Sequence, residues 1–209
     1  MITPYKHISF DLDGTLVHTT ESYLTTLVPK VVESLGGTWK DATIKKFWFE
    51  TNRSQTIKDC FGVDPETFWK IFNEEDVPES RKNNTRVYPE CVSVLKRIKA
   101  LGKTISILTG SPRGLAEMEI ALLQDVSLDH VCPITDSGFE SKPDPGSMHH
   151  ALRTLGHAPE DTLYIGNGAE DALFAEAAGC DFVLVDRGEH EVTLASGHQR
   201  IHSLEELFA

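Results

Sequence analysis

The stretch His7-Ile8-Ser9-Phe10-Asp11-Leu12-Asp13-Gly14-Thr15-Leu16-Val17 runs a short apolar-flanked segment straight into an acidic, glycine-containing turn. Residues 7–10 read as a buried strand, and the carboxylates follow at once. Downstream, from 18 to 84, the chain turns polar and aromatic. Tyr23, Leu24, Leu27, Val28, Val31, Val32 and Leu35 recur at helical spacing and stop at Gly36-Gly37. Further apolar clusters at Phe47-Trp48-Phe49 and at Phe61, Phe68, Trp69 and Phe72 suit a helical insert with its own core.

After Arg86 the rhythm changes. A helix-like run from Pro89 to Leu101 stops at Gly102, and Thr104–Leu108 reads as a strand. A helix over Gly114–Leu123, a strand near Val131, a helix over Gly146–Leu155, a strand over Thr162–Ile165, a helix over Ala169–Ala178 and a strand over Phe182–Val185 follow. Short apolar strands alternating with glycine-stopped helices predict βαβ units and a parallel sheet. The expected architecture is an α/β core from 1–17 and 85–209, with an all-helical domain inserted over 18–84.

Thirty-two Asp and Glu against 20 Lys and Arg give a formal net charge of −12. Duplex nucleic acid and anionic membrane repel such a chain, so neither is expected as a partner. An anionic small molecule stays possible, because one bound cation reverses the sign inside a cleft. No apolar stretch is long enough for a signal peptide or a membrane span. Cys60, Cys91, Cys132 and Cys180 lie far apart without a C-x-x-C pair, which reads as free thiols in a reducing cytoplasm.

In open parallel sheets, ligands gather beyond the carboxyl ends of the strands. There the sequence offers Asp11-x-Asp13-Gly14-Thr15, Thr109-Gly110-Ser111, Ser141-Lys142-Pro143 and Gly166-Asn167-Gly168-x-x-Asp171. Two carboxylates about 4 Å apart repel by roughly 4 kcal/mol at an effective dielectric near 20. Clustered Asp11, Asp13 and Asp171 therefore take up protons or bind a cation. Oxygen ligands suit Mg²⁺, which accepts a substrate phosphate oxygen as a further ligand. A lysine and hydroxyl groups opposite would hold the phosphate.

Phe10–Val17 resembles the first motif of the haloacid dehalogenase superfamily, and Thr109, Lys142 and Gly166–Asp171 resemble its second, third and fourth motifs in order. The insert is similar to the helical cap of the phosphoglycolate-phosphatase-like branch. The resemblance implies a flavodoxin-like core with strand order 5-4-1-2-3 and Mg²⁺-dependent hydrolysis of a small phosphorylated metabolite by a monomer or homodimer. It makes Asp11 the nucleophile that forms an aspartyl-phosphate and Asp13 the general acid and base. It places Lys142 against nucleophile and phosphate, and Thr109, Gly110, Ser111, Gly14 and Thr15 around the phosphate. Asp11, Asp13, Asn167, Asp171 and Glu170, with the Leu12 carbonyl, form the implied metal shell. Arg53, in Asn52-Arg53-Ser54-Gln55 of the cap, stands where a substrate anion would be read.

One position departs from the motif. Asn167 stands where the family has Asp, so one negative charge is missing and weaker Mg²⁺ binding is expected. Asn167 also suits a plain turn residue, and Asp171 a plain charge on the first turn of its helix. A phosphomutase, or a non-catalytic binding homologue, are the alternative functions; dehalogenation is disfavoured because it does not use an acid at position 13.

Overall fold

A computed structural model of the chain describes residues 1–49, 52–194 and 197–209. The chain divides into two compact units, residues 1–18 with 87–209, and residues 19–86. Strand β1 (His7–Phe10) is followed by β2 (Val17–Thr19) and helices α1 (Glu21–Ser34), α2 (Asp41–Phe49), α3 (Arg53–Thr56), α4 (Pro65–Glu75) and α5 (Pro78–Arg81). Strand β3 (Thr85–Val87) pairs with β2 in a two-stranded ribbon. Then come α6 (Cys91–Ala100), β4 (Thr104–Thr109), α7 (Arg113–Ala121), β5 (His130–Pro133) and α8 (Gly146–Leu155). Strand β6 (Thr162–Gly166), α9 (Ala169–Ala178), β7 (Asp181–Val185) and β8 (Gln199–Ile201) follow, and a 3-10 turn over Leu204–Phe208 adds Leu204 and Leu207 to the core.

The main sheet has the order β5-β4-β1-β6-β7-β8, and its strands pair in parallel. Numbered along the core alone, this is 3-2-1-4-5-6: the expected order read from the other edge, with one strand added. The addition, β8, spans three residues of which two are exposed, too short and too polar to carry an alternation signal.

Successive side chains of a strand point to opposite faces, and the burial follows that rule. Ile8, Phe10, Ile105, Ile107, Leu163, Ile165, Val183 and Val185 pack on one face with Val94, Leu95 and Ile98 of α6. Leu108, Tyr164, Phe182 and Leu184 pack on the other with Met148 and Leu152 of α8 and Phe174 of α9. That second face carries a buried polar seam. His7 Nε2 lies 2.8 Å from Ser106 Oγ, and Ser106 Oγ donates to Ser9 Oγ at 2.8 Å.

The 19–86 unit has a separate core. Leu24, Leu27, Val28, Val31 and Val32 of α1 meet Ile44 and Phe47 of α2 and Phe68 and Phe72 of α4. The aromatic clusters are thus core, with Phe47 and Phe68 edge to face at 5.2 Å. Arg81 and Asp76 are buried together, joined by two hydrogen bonds of 2.7 and 2.8 Å.

Candidate active site

Register alone aligns the strand ends. Phe10 is level with Ile107 of β4 and with Ile165 of β6. One residue on, Asp11 is therefore level with Leu108 and Gly166. The Asp11 N–H donates to the Ile165 carbonyl at 2.9 Å, extending β1 by one residue. The chain then turns. The Leu12 carbonyl accepts from the N–H groups of Thr15, Leu16 and Val17 at 3.3, 2.9 and 3.1 Å. Gly14 sits at φ +76°, a conformation costly for any residue with a Cβ. A Cβ there would also come within 2.7 Å of Asn167 Cγ, so the Asn167 amide lies directly against the turn that bears Asp11 and Asp13.

Asp11 is 7% exposed and both its oxygens are engaged. Lys142 Nζ donates to Oδ1 at 2.7 Å and Thr15 Oγ1 to Oδ2 at 3.2 Å. Lys142 also donates to Asp171 Oδ1 at 2.9 Å. Asp171 Oδ1 takes the Tyr164 hydroxyl at 3.2 Å, and Oδ2 takes the N–H groups of Asn167 and Gly168, each at 3.1 Å. Beside this chain, Ser111 donates its hydroxyl to Asp13 Oδ2, and Thr109 Oγ1 accepts the Ser111 N–H at 3.0 Å. Residues 131 positions apart in the sequence meet at one end of the sheet.

Burial pushes the Asp11 carboxyl up to about 7; Lys142 opposes the shift, while Asp171 and Asp13 add to it. Burial also opposes charge on Lys142, but Asp11 and Asp171 outweigh it and hold the ammonium well above its usual range. The one ammonium meets two carboxylates, Asp11 and Asp171, and Asp13 adds a third negative charge beside Asp11, an excess in a desolvated place.

A family model described as haloacid dehalogenase-like hydrolase matches residues 5–179. The chain belongs to the haloacid dehalogenase-like hydrolases. A phosphoglycolate phosphatase of Mannheimia succiniciproducens is 24% identical over 95% of this chain and 93% of its own. Pyrophosphatase PpaX of Bacillus mycoides is 28% identical over 85% and 82%. Among solved structures, a protein of Bacteroides fragilis described as a haloacid dehalogenase-like hydrolase superposes with a TM-score of 0.80 at 26% identity, covering 97% of this chain and 99% of that one.

The haloacid dehalogenase-like motifs thus fall at adjacent strand ends, but their side chains do not all take the expected parts. The Leu12 carbonyl, expected in a metal shell, is consumed by three amides of its own turn. Asp171 has four hydrogen bonds on its two oxygens, which fills the acceptor capacity of a carboxylate. Those bonds cap α9 and anchor Lys142. Ser111, expected on phosphate, holds Asp13. Gly110 is exposed with open space beside its Cα, and Thr109 is buried at the end of β4. Glu170 stands half-buried in the first turn of α9. Arg53 opens α3 in the 19–86 unit and is exposed.

Among the described residues no group of three or more His, Cys, Asp or Glu side chains is gathered as a metal cage. Mg²⁺ does not need one, since it is held through one or two carboxylates plus water and substrate phosphate. Asp11 and Asp13, with the Asn167 amide beside their turn, would offer oxygen donors of that kind, and the excess negative charge favours a cation. The residues fit the ion. Sequence reasoning missed Tyr164, whose hydroxyl steadies Asp171. An aromatic residue inside an apolar strand looks like any other core residue, and only its reach to Asp171 distinguishes it.

Proposed function

We propose that the protein is a Mg²⁺-dependent phosphatase acting on a small phosphomonoester through an aspartyl-phosphate on Asp11. The observation that carries this reading is the pairing of Asp11 with Lys142 at 2.7 Å beyond the end of β1, with Asp13 two residues on. The Asp11 carboxylate attacks phosphorus in line, and the P–O bond to the leaving group breaks. Asp13 gives its proton to the departing alkoxide, then takes one from the water that cleaves the acyl-phosphate, so that inorganic phosphate leaves and Asp11 is restored. Lys142, kept charged by its two carboxylate partners, offsets charge on the nucleophile and the phosphoryl oxygens. Asp11, Asp13 and Asn167 would hold Mg²⁺, which when bound supplies further neutralisation between carboxylate and phosphate.

The names of the relatives point to phosphoglycolate as a first substrate and to inorganic pyrophosphate as a second. In this reading the 19–86 unit confers specificity, with Arg53 assigned to a substrate anion on resemblance alone. Free Cys60, Cys91, Cys132 and Cys180 suit a cytoplasmic setting. The test is release of phosphate from an aryl phosphate and from phosphoglycolate, with and without Mg²⁺. Wild type is expected to turn over only with the ion, and Asp11→Asn to lose turnover. Activity persisting in Asp11→Asn would remove the covalent route.

A further inference from the structure

Arg187 lies two residues beyond the end of β7, outside every motif quoted above, and its side chain is 7% exposed. One Nη2 donates to the Thr15 carbonyl at 2.7 Å and makes a longer contact of 3.8 Å with Cys91 Sγ. Nη1 donates to Glu90 Oε1. The guanidinium stacks on Tyr88, 3.9 Å from the ring centroid. Both partners are fixed in turn. Glu90 Oε1 accepts from the Leu204 N–H at 3.3 Å and the Ser203 hydroxyl at 3.4 Å. The Tyr88 hydroxyl donates to Glu189 at 2.7 Å, and its ring stacks with His18 at 4.8 Å.

The far end of this network is the nucleophile. Thr15 is fully buried, its hydroxyl donates to Asp11 Oδ2, and its carbonyl is gripped by Arg187. A planar fork with a charge on it fixes an acceptor in direction as well as distance. We infer that Arg187 is a positioning residue for the nucleophile: by holding the Thr15 carbonyl it sets the Thr15 hydroxyl on one oxygen of Asp11, leaving the other to Lys142. It touches neither substrate nor the reacting atoms. The inference rests on the assignment of Asp11 as nucleophile.

The test combines Arg187→Met, Thr15→Val and the double variant, each assayed for Mg²⁺-dependent turnover of an aryl phosphate and for amide hydrogen exchange. Arg187→Met is expected to lower kcat by about tenfold to a hundredfold, the scale of a small misplacement of a reacting group, with KM changed by less than about threefold. In the Thr15→Val background it should cost little more, because the connection is already cut. Exchange should quicken at the Leu16 and Val17 amides, which close the turn. Multiplicative losses in the double variant, or full kcat with unchanged exchange in Arg187→Met, would overturn the inference. If Arg187→Met does not fold, Arg187→Lys serves. A point charge cannot serve Glu90 and Thr15 as a fork does, so unchanged kcat and exchange there overturn it equally. A wild type without phosphatase activity would sink the proposed function, and the exchange measurement would still decide the role of Arg187.

Discussion

Replacing His7 by leucine should make the protein more resistant to acid. His7 is fully buried in β1, within 3.2 Å of Thr162 and 2.8 Å of Ser106, and its ring stacks on His157 at 5.3 Å. Burial, first, and the neighbouring His157, second, hold the imidazole down to about 3. In the unfolded chain it titrates near 6.5, so between these values the unfolded state binds one more proton than the folded state. Stability is therefore fully present above the unfolded value and is lost as pH falls, up to about 1.4 kcal/mol per unit. Integrated from about pH 7.5 to about pH 4.5, the loss from this one residue is about 2.6 kcal/mol.

Leucine has no such titration. The two hydroxyls it leaves behind keep other partners, since Thr162 donates to the Ala158 carbonyl at 3.0 Å and Ser106 to Ser9 at 2.8 Å. The assay is urea unfolding followed by circular dichroism, wild type and His7→Leu side by side at the two pH values. Groups that do not face His7 titrate alike in both proteins, and Asp129, which His7 helps to hold below the usual carboxylate range, stays ionised across this window, so the difference of differences isolates His7. The variant should lose about 2–3 kcal/mol less than wild type on acidification. Parallel losses in the two proteins would refute the argument.

Two more outcomes follow from single side chains. Asn167→Asp restores a carboxylate against the Asp11–Asp13 turn and should tighten Mg²⁺ binding by about tenfold or more, the least that one extra charge contributes near 4 Å in an aqueous cleft. Calorimetric titration with the metal alone measures it, and unchanged affinity would place Asn167 outside the metal site. Arg81→Met removes both guanidinium hydrogen bonds to the buried Asp76 carboxylate and leaves it, among the described residues, the Tyr23 hydroxyl, and should cost the 19–86 unit about 3–5 kcal/mol. Trp39, Trp48 and Trp69 all lie in that unit, so tryptophan fluorescence during urea unfolding reports it directly, and a loss below about 1 kcal/mol would contradict the estimate for a broken buried pair.

Much of the architecture was legible because period and punctuation agreed. The short segment His7–Phe10 before its acidic turn, the glycines at 102, 156 and 179, and the helical spacing from Tyr23 to Leu35 each mark a local preference that the tertiary structure reinforces. Strands of three residues such as β2, β3 and β8 exist because neighbours supply their hydrogen bonds, which a local pattern does not encode. The site divides in the same way. That Asp11, Lys142 and Asp171 meet followed from their places after strand ends. What each oxygen does once there did not. Asp171 was open to a metal or a helix terminus, and its hydrogen bonds run to Lys142 and the start of α9. Ser111 was expected on phosphate, yet the turn after β4 aims it at Asp13. Arg187 gave no signal, because its partner is a backbone carbonyl 172 residues away.

Gly166 closes β6, at a position where a central strand would ordinarily carry valine or isoleucine. A methyl group there would sit 2.5 Å from Asp171 Cβ. The carboxylate that steadies the ammonium stands in the space a side chain would fill, so the smallest possible enlargement at the strand's end would be felt at the nucleophile through two intervening ionic contacts. At this point the sheet forgoes a residue that would strengthen it, and the vacancy is taken up by charge.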